Sequence, residues 1–587
     1  MKNIFFTYLL LLGLPVFLLA QWTANPIINT EIVDTTGMQV QPKIVVNDNG
    51  ESYISWFSNF EANQFNVYMQ RLDVNGNSLW GEAGLLISNH PTASYTTDYD
   101  LIIDNTGCAI LVTQDYRTGN SNVFAYRISP DGNFLWGENG IAITNDTDEN
   151  PSPYAIVDQD GNIIFGYEVL PADSSLNLKI CLQKFSPDGQ SLWDNNTIIS
   201  NDTTDCFQPH FISAVDNSTI VVWVEKVSGG NKMYPFAQKI DSGGDLVWAN
   251  SVSIDTLNGL PLAIFNPSLI NDEYGGFFMG WRAYPQNMTT HSCFAQHINT
   301  DGIAQWTPNG VLASDSVGFK HYAPSITYLP EHNEFFLFWS EQIDYDATNN
   351  HIAIFGQKFS DTGERLWTNH GKIFDGWYPY YDTNTFVEAI MPASIDNFTV
   401  FFSRSNWTAI RDSIPVLKLH AMQINHDGDF VWENEKLVIS SATSKKGFLD
   451  ISDLAQNQWI ITWEDNRKDP SYGTETGIYA QNISIDGQLG ILTGIDEISS
   501  FTANSIINYP NPFKNQTIIE YELTQSGNVS LKLTDMNGRL VKHLFSGQLQ
   551  KGLHFYKLNA SGLSPGMYFV VFEHFGLISY HKIIFNI

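Results

Sequence analysis

Basic residues are scarce in this chain: 30 Lys and Arg stand against 62 Asp and Glu, a formal net charge of −32 over 587 residues. A surface of that sign repels phosphate backbones and anionic headgroups, which excludes nucleic acid as a partner. Cysteine is nearly absent, with Cys108, Cys181, Cys206 and Cys293 alone. No C-x-x-C or Cys/His spacing suggests zinc, and the 14 His include no H-E-x-x-H pair, so no metal site is expected. An even count in an exported chain permits disulfides, but Cys108 and Cys181 lie in apolar strand-like runs, and buried free thiols are the expectation. Helical periodicity is missing throughout. After residue 20 no apolar run reaches the roughly 18–20 residues that span a bilayer, so no transmembrane segment is expected in the mature chain.

What is present begins with an export signal. Lys2, the apolar run Ile4–Leu19 and the small Ala20 have the parts of a secretory signal peptide over residues 1–20. With 43% hydrophobic and 13% aromatic residues the remainder has ample material for a folded interior. It is organised by a repeat, a strand-like run ending in Gly with Trp four residues on, as in M-Q-R-L-D-V-N-G-N-S-L-W at Met69–Trp80. The glycines are Gly76, Gly132, Gly189, Gly244, Gly302, Gly363, Gly428 and Gly487, spaced 55 to 65 residues apart. The tryptophans are Trp80, Trp136, Trp193, Trp248, Trp306, Trp367 and Trp432, expected to dock structurally; the eighth copy has Ile491 instead. In six copies the residue six before the Gly is Gln, on the same strand face as an apolar residue two positions later, and a neighbouring repeat's backbone is its expected partner.

Ahead of each Gly/Trp core lie two short apolar runs joined by Asn, Asp and Gly, as in N-D-N-G at Asn47–Gly50, which are hairpin signals. About four strands per unit, eight units and no helix predict an all-β fold: an eight-bladed β-propeller over residues 21–493, with a linear solenoid as the alternative. Thr30–Thr35 resembles the segment that follows the Trp in other units, so an N-terminal strand is expected to complete the last blade. The L-D-x-x-G-x-x-L-W spacing looks like the tryptophan-docking motif of eight-bladed quinoprotein-type propellers. It also resembles looser repeats of exported bacterial proteins in which W-x-D-x-R follows the second strand, as at Trp463–Arg467. A quinoprotein would carry a vicinal Cys pair, which is missing here, so no cofactor is expected.

From Gly494 the pattern stops. Residues 494–508 read as a linker, and alternating runs over 509–587 predict a small antiparallel β-sandwich of about seven strands. Pro510-Asn511-Pro512, then Asp535, Gly538 and Arg539, then Pro565, Gly566 and Tyr568, then the Lys582 strand, closely resemble the type A C-terminal sorting domain of type IX secretion. That resemblance implies the type IX machinery as partner, passage through the outer membrane, removal of the domain in the linker, and a secreted or surface-attached product.

For chemistry, the loops after the second strands offer Asp115, Arg117, Glu225, Arg282, Glu341, Arg404, Glu464, Asp465 and Arg467. A glycoside hydrolase or lyase needs paired carboxylates, or a His/Tyr/Arg set, converging on one funnel. With 62 acids in the chain, solvated loop charges are the plainer expectation, and catalytic residues stay unassigned. Asp158–Gly161 has the spaced oxygens of a calcium loop but no later bidentate Glu, which favours a hairpin turn. Trp377–Tyr381 could stack on sugar rings or pack beneath a loop. The leading expectation is a binding scaffold for glycan or protein, and the alternative is a polysaccharide-degrading hydrolase or lyase.

Overall fold

A computed structural model describes residues 22–61, 64–92, 99–173, 175–201, 203–227, 232–260, 266–285, 290–346, 349–380, 386–405, 417–470, 475–490, 507–523, 527–535, 539–550, 552–574 and 577–586. The signal segment 1–20, Gly538 and all but the last two residues of the linker lie outside them. The chain divides into two compact units, Met1–Ile491 and Leu492–Ile587. Every regular element among the described residues is a strand.

The first unit is propeller-like, with eight four-stranded antiparallel sheets among its described residues. Seven are meanders in chain order, over 38–88, 100–142, 154–199, 204–253, 268–312, 320–380 and 387–440. The eighth is composite: Lys446–Ile451, Gln458–Asp465 and Gly477–Ser484 are joined by Thr30–Val33 from the start of the chain, with Thr30 opposite Ala480 and Val33 opposite Ile478. In a meander the strand-one/strand-two turn and the strand-three/strand-four turn lie at one end of the sheet. The hairpin between strands two and three lies at the other. These are the clasp end and the hairpin end.

The repeat glycines explain the clasp. All eight have φ between 74° and 94°, the left-handed region open to Gly. Each also faces the tryptophan of the preceding sheet: a Cβ on Gly363 would lie 2.6 Å from Trp306, and one on Gly428 2.6 Å from Trp367. The indole then reaches past the Gly to a carbonyl of the same turn. Nε1 of Trp80, Trp136, Trp193, Trp248, Trp306 and Trp432 donates to the carbonyls of Pro130, Pro187, Ser242, Thr300, Asp361 and Ile485, at 2.8–3.2 Å. A cation on strand three reinforces the joint. Arg71, Arg127 and Lys184 donate to the carbonyls of Pro130, Pro187 and Ser242 that the indoles use, and each pairs with a carboxylate of its own strand-one/strand-two turn: Glu51, Asp104 and Asp158. Asp158 is thereby committed to Lys184 at 2.6 Å, within a plain turn closed by the Gly161 amide on its carbonyl.

The buried glutamines differ from the sequence expectation. Gln70, Gln183, Gln238, Gln296 and Gln357 bond the backbone of their own repeat at the Trp or the residue after it, and Gln357 also reaches the preceding repeat at the Ala313 carbonyl, 3.4 Å away. The reason is local: the turn folds back over strand three, so its exposed amide groups lie directly above the Gln. Gln481 makes the same bond to Thr23, the residue after Trp22. Trp22 in turn packs on Gly76 and donates to the Val74 carbonyl at 3.0 Å. The tryptophan missing from the eighth repeat is therefore supplied by Trp22, a residue the sequence reading passed over.

The junction between the eighth and first sheets repeats the chemistry of interior ones. Asp450 accepts the Ile44 amide as Asp100 accepts that of Ala155. Glu464 accepts from Gln41 at a left-handed bulge as Glu168 accepts from Gln208. Arg467 binds the Ile28 carbonyl and the Asn29 side chain, pinning the N-terminal segment.

In the second unit, a three-stranded sheet (Ile507–Tyr509, Gln516–Leu523, Gly552–Asn559) and a four-stranded sheet (Leu540–Leu549, Gly527–Asp535, Gly566–His574, Leu577–Phe585) share one core. Ile519, Tyr521 and Leu523 of the first meet Leu531, Val570 and Phe572 of the second.

Two outcomes follow from the clasp. Gly363→Ala must accept both φ +80° and a Cβ at 2.6 Å from Trp306, whereas Gly81→Ala has the same φ and open space. Chemical denaturation should show about 1 kcal/mol lost at Gly81 and at least twice that at Gly363; equal losses would refute the packing role. The second outcome concerns acid. Burial opposes ionisation of Asp104, Asp158, Asp216 and Asp272, yet their hydrogen bonds and adjacent Arg127, Lys184, Lys239 and His297 prevail and hold each below the ordinary range. Glu51 is held low by hydrogen bonds from Asn47 and Arg71 against burial. A depressed carboxylate contributes stability above its unfolded pKa that is lost as pH falls through the folded one. The melting temperature should therefore drop steeply below about pH 4, and less steeply in Lys184→Met.

Candidate ligand site at the hairpin end

Residues i and i+2 on a strand share a face, so an acid two positions after a strand-two Trp lies beside its indole. Glu225, Glu341 and Asp465 each accept from that indole, of Trp223, Trp339 and Trp463, at 3.3, 3.2 and 2.9 Å. Asp115 takes Arg117 through both carboxylate oxygens, and the Arg117 guanidinium lies 3.7 Å over the Phe124 ring. Asp465 carries Arg467 and Lys446 as partners, and Arg404 pairs with Asp375. Asp115, Glu225, Glu341 and Asp465 are at most 6% exposed. The expectation of solvated loop charges is thus corrected: these acids are interior, and each is committed within its own sheet. Glu464 is pushed up to about 7 by burial, against its bond from Gln41.

Arg282 is different. It follows Trp281 at the end of strand Phe277–Ala283, half-buried, and has no ion-pair partner among the described residues. Its guanidinium lies 5.5 Å from the centroid of Tyr322, which begins the next sheet. The His291 ring meets Tyr322 edge-on at 4.5 Å and Tyr284 at 5.5 Å. Tyr284 is 41% exposed. Burial, aided by the Arg282 charge, pushes His291 down to about 4, so its imidazole is neutral at neutral pH, and its Nδ1 has no hydrogen-bond partner among the described residues. His321, wholly buried, donates its amide to the His291 carbonyl and has its Nε2 3.1 Å from Glu341. One cation, one neutral imidazole and two phenols thus meet at one junction. Trp377 joins a neighbouring aromatic group, 5.9 Å from Phe319 and 5.8 Å from Phe355, and is 38% exposed; Tyr381 lies outside the described residues. The sequence singled out Arg282 and Trp377 but not His291, Tyr284 or Tyr322, which approach Arg282 through sheet packing. All four cysteines are buried free thiols, and burial raises Cys181 to about 11 and Cys206 to about 12.

In the second unit the motif residues gather around the last strand. Asn511 donates to the Lys582 carbonyl and accepts from the Ile584 amide, and Phe513 donates to the Ile584 carbonyl. Asp535 accepts the Arg539 amide at 3.0 Å, and Gly538 lies outside the described residues. The Tyr568 hydroxyl donates to the Ser564 carbonyl at 2.6 Å, holding the loop that carries Pro565 and Gly566. Lys582 itself is exposed. Residues 508–586 match the secretion system C-terminal sorting domain family. This is a type IX sorting domain. It directs the protein to the cell surface or the extracellular space.

No curated protein matches the chain. Among solved structures, a PL25 ulvan lyase bound to a sulfated glycan superposes with a TM-score of 0.41 at 10% identity, covering 78% of this chain and 97% of that one. The polysaccharide lyase Uly1 gives 0.38 at 10% identity, over 76% and 90%. An endo-arabinase from Bacteroides thetaiotaomicron gives 0.28 at 14% identity, over 45% and 96%. At these values the likeness carries no statement about chemistry. Deleting residues 508–586 should leave the protein inside the outer membrane, measured by fractionation; release into the medium at the wild-type level would contradict the sorting role.

Proposed function

We propose that the first unit is a closed, eight-bladed propeller that binds an acidic glycan at its hairpin end, as the working part of a protein delivered by type IX secretion. Closure is supported by Trp22, Gln481, Asp450 and Glu464, which give the last-to-first junction the bonds of interior junctions. The proposed layout is a signal peptide at 1–20, the propeller at 21–493, a linker at 494–508 where the tail is removed, and the sorting sandwich at 509–587. One observation carries the ligand class: Arg282, a cation without a carboxylate partner among the described residues of a chain of net charge −32. A uronate carboxylate would meet this guanidinium in a charge-assisted hydrogen bond, stronger than a neutral one. Tyr284, Tyr322 and Trp377 supply the flat faces on which sugar rings stack.

A second reading, eliminative cleavage of a uronate-containing polysaccharide, is favoured by His291. A neutral imidazole can accept the proton α to a carboxylate whose charge Arg282 offsets, while a phenol (Tyr284 or Tyr322) protonates the leaving oxygen. Hydrolysis is disfavoured, because the hairpin-end acids Asp115, Glu225, Glu341 and Asp465 are already committed.

Titration of the full-length protein with polyuronates and with neutral glycans tests both readings. Arg282→Ala should weaken polyuronate binding at least tenfold, as loss of a charged hydrogen bond of about 1.5–3 kcal/mol demands. Wild-type affinity in that variant would sink the site. Appearance of the ultraviolet absorbance of an unsaturated uronate would establish cleavage, and Tyr284→Phe should then reduce turnover more than binding.

A further inference from the structure

We propose that His332, Asp396 and His426 form a divalent-cation site of the zinc class at the clasp end of the junction between the sixth and seventh sheets. His332 sits in the turn between strands Lys320–Leu329 and Glu334–Asp346. Asp396 lies in the equivalent turn of the next sheet, and His426 in the turn after strand Leu417–Asn425. One donor atom from each lies within 4.8 Å of the other two. Among the described residues no other three His, Cys, Asp or Glu donors converge this closely. Sequence spacing could not show this, because the three ligands come from three turns of two sheets.

The three donors converge, and a tetrahedral site requires them to close further. Zinc bonds of 2.0–2.2 Å to nitrogen and oxygen place neighbouring donors about 3.4 Å apart. The His332 and His426 rings are stacked at 4.1 Å, inclined by 12°, so one ring must turn out of the stack for both to bind a single ion in their own planes. His332 Nε2 is 2.6 Å from Asp396 Oδ1, and this pair must open by about 0.8 Å to admit an ion at that spacing. The Asp396 side chain is 54% exposed and has room to do so. His426 Nδ1 faces Glu334 Oε2 at 3.6 Å, and both atoms are buried without a hydrogen-bond partner. His426 Nδ1 offers either an N–H or a lone pair there according to its tautomer, and the lone-pair form beside the carboxylate is costly unless something positive lies between them. Glu334 is not one of the three converging donors and borders the site through His426.

The surroundings fix these groups from behind. The His426 amide donates to the Asp396 carbonyl at 2.8 Å. Lys358 holds the other Glu334 oxygen at 2.6 Å and donates to the His426 carbonyl. Asp427 lies 3.6 Å from His426 Nε2. With neutral imidazoles, three carboxylates against one ammonium leave a local charge of about −2, the complement of a dication. At the third-to-fourth junction the corresponding turns are joined by amides instead: the Gln159 amide donates to Asn217 Oδ1, and Asn217 Nδ2 to Asp160. The mixed nitrogen and oxygen donor set suits zinc better than calcium or magnesium. A cation there would cross-link three turns of two sheets, strengthening one junction of the array.

The test is calorimetric titration of metal-free, full-length protein with zinc chloride, with magnesium as the control. One equivalent of zinc should bind, and magnesium should not compete. His332→Ala and His426→Ala should each weaken that event at least tenfold while the near-ultraviolet circular dichroism stays native. X-ray absorption at the zinc edge of the wild-type complex needs no variant and should report two imidazoles with oxygen ligands. Absence of a saturable one-equivalent event, unchanged affinity in His426→Ala, or a spectrum with fewer than two imidazoles would overturn the site.

Discussion

The tryptophan seated on the next repeat's glycine is the contact on which the first unit depends. Each indole buries a large apolar face, worth roughly 4–6 kcal/mol as an upper bound. Its one polar atom is satisfied by the carbonyl beside the glycine. Four-stranded sheets cannot each cover both faces alone, so the array is stable only if every sheet finds a neighbour. The Gly/Trp pair makes that neighbour specific: only Gly tolerates both the left-handed backbone and the ring above it. The Arg or Lys of strand three adds a polar bond to the same carbonyl and ties the preceding sheet's own hairpin turn into the joint.

That arrangement leaves the two ends of the sheets with different freedoms. The clasp end is constrained in nearly every repeat, so departures from the pattern stand out there, as with the imidazoles of His332 and His426 in place of amides. The hairpin end carries loops of differing length and composition, where binding residues can vary over a fixed scaffold. Even there most charge is committed. The W-x-D and W-x-E acids take the indole N–H of their own strand, which would otherwise be buried without a partner. Arg282 stands out because it is a cation without a counter-ion among the described residues that also meets an imidazole and two phenols.

Export and architecture were legible in the sequence because both rest on local signals. The Gly/Trp spacing, the Asn/Asp/Gly turns and the order P-N-P, D-x-x-G-R, L-S-P-G-x-Y-F are read within a few residues of one another. The glutamines show the limit of that reading. Their burial followed from strand alternation, but their partners depended on how the turn folds back, and those proved to lie chiefly in the same repeat, with Gln357 alone of the five also reaching the repeat before it.

The sequence by itself determined a repeat of strands, an acidic exported chain and a sorting tail, since alternation, turn chemistry and composition are properties of neighbouring residues. Only the tertiary structure decided that Trp22 takes the place of the tryptophan missing near Ile491, because that substitution joins residues more than 400 positions apart. It decided likewise that Asp465 and Arg467 are structural, and that Arg282 meets His291 and Tyr322 while His332 meets Asp396 and His426. Those meetings occur across sheet junctions. They are set by how one sheet packs on the next, a relation that no spacing within a repeat records.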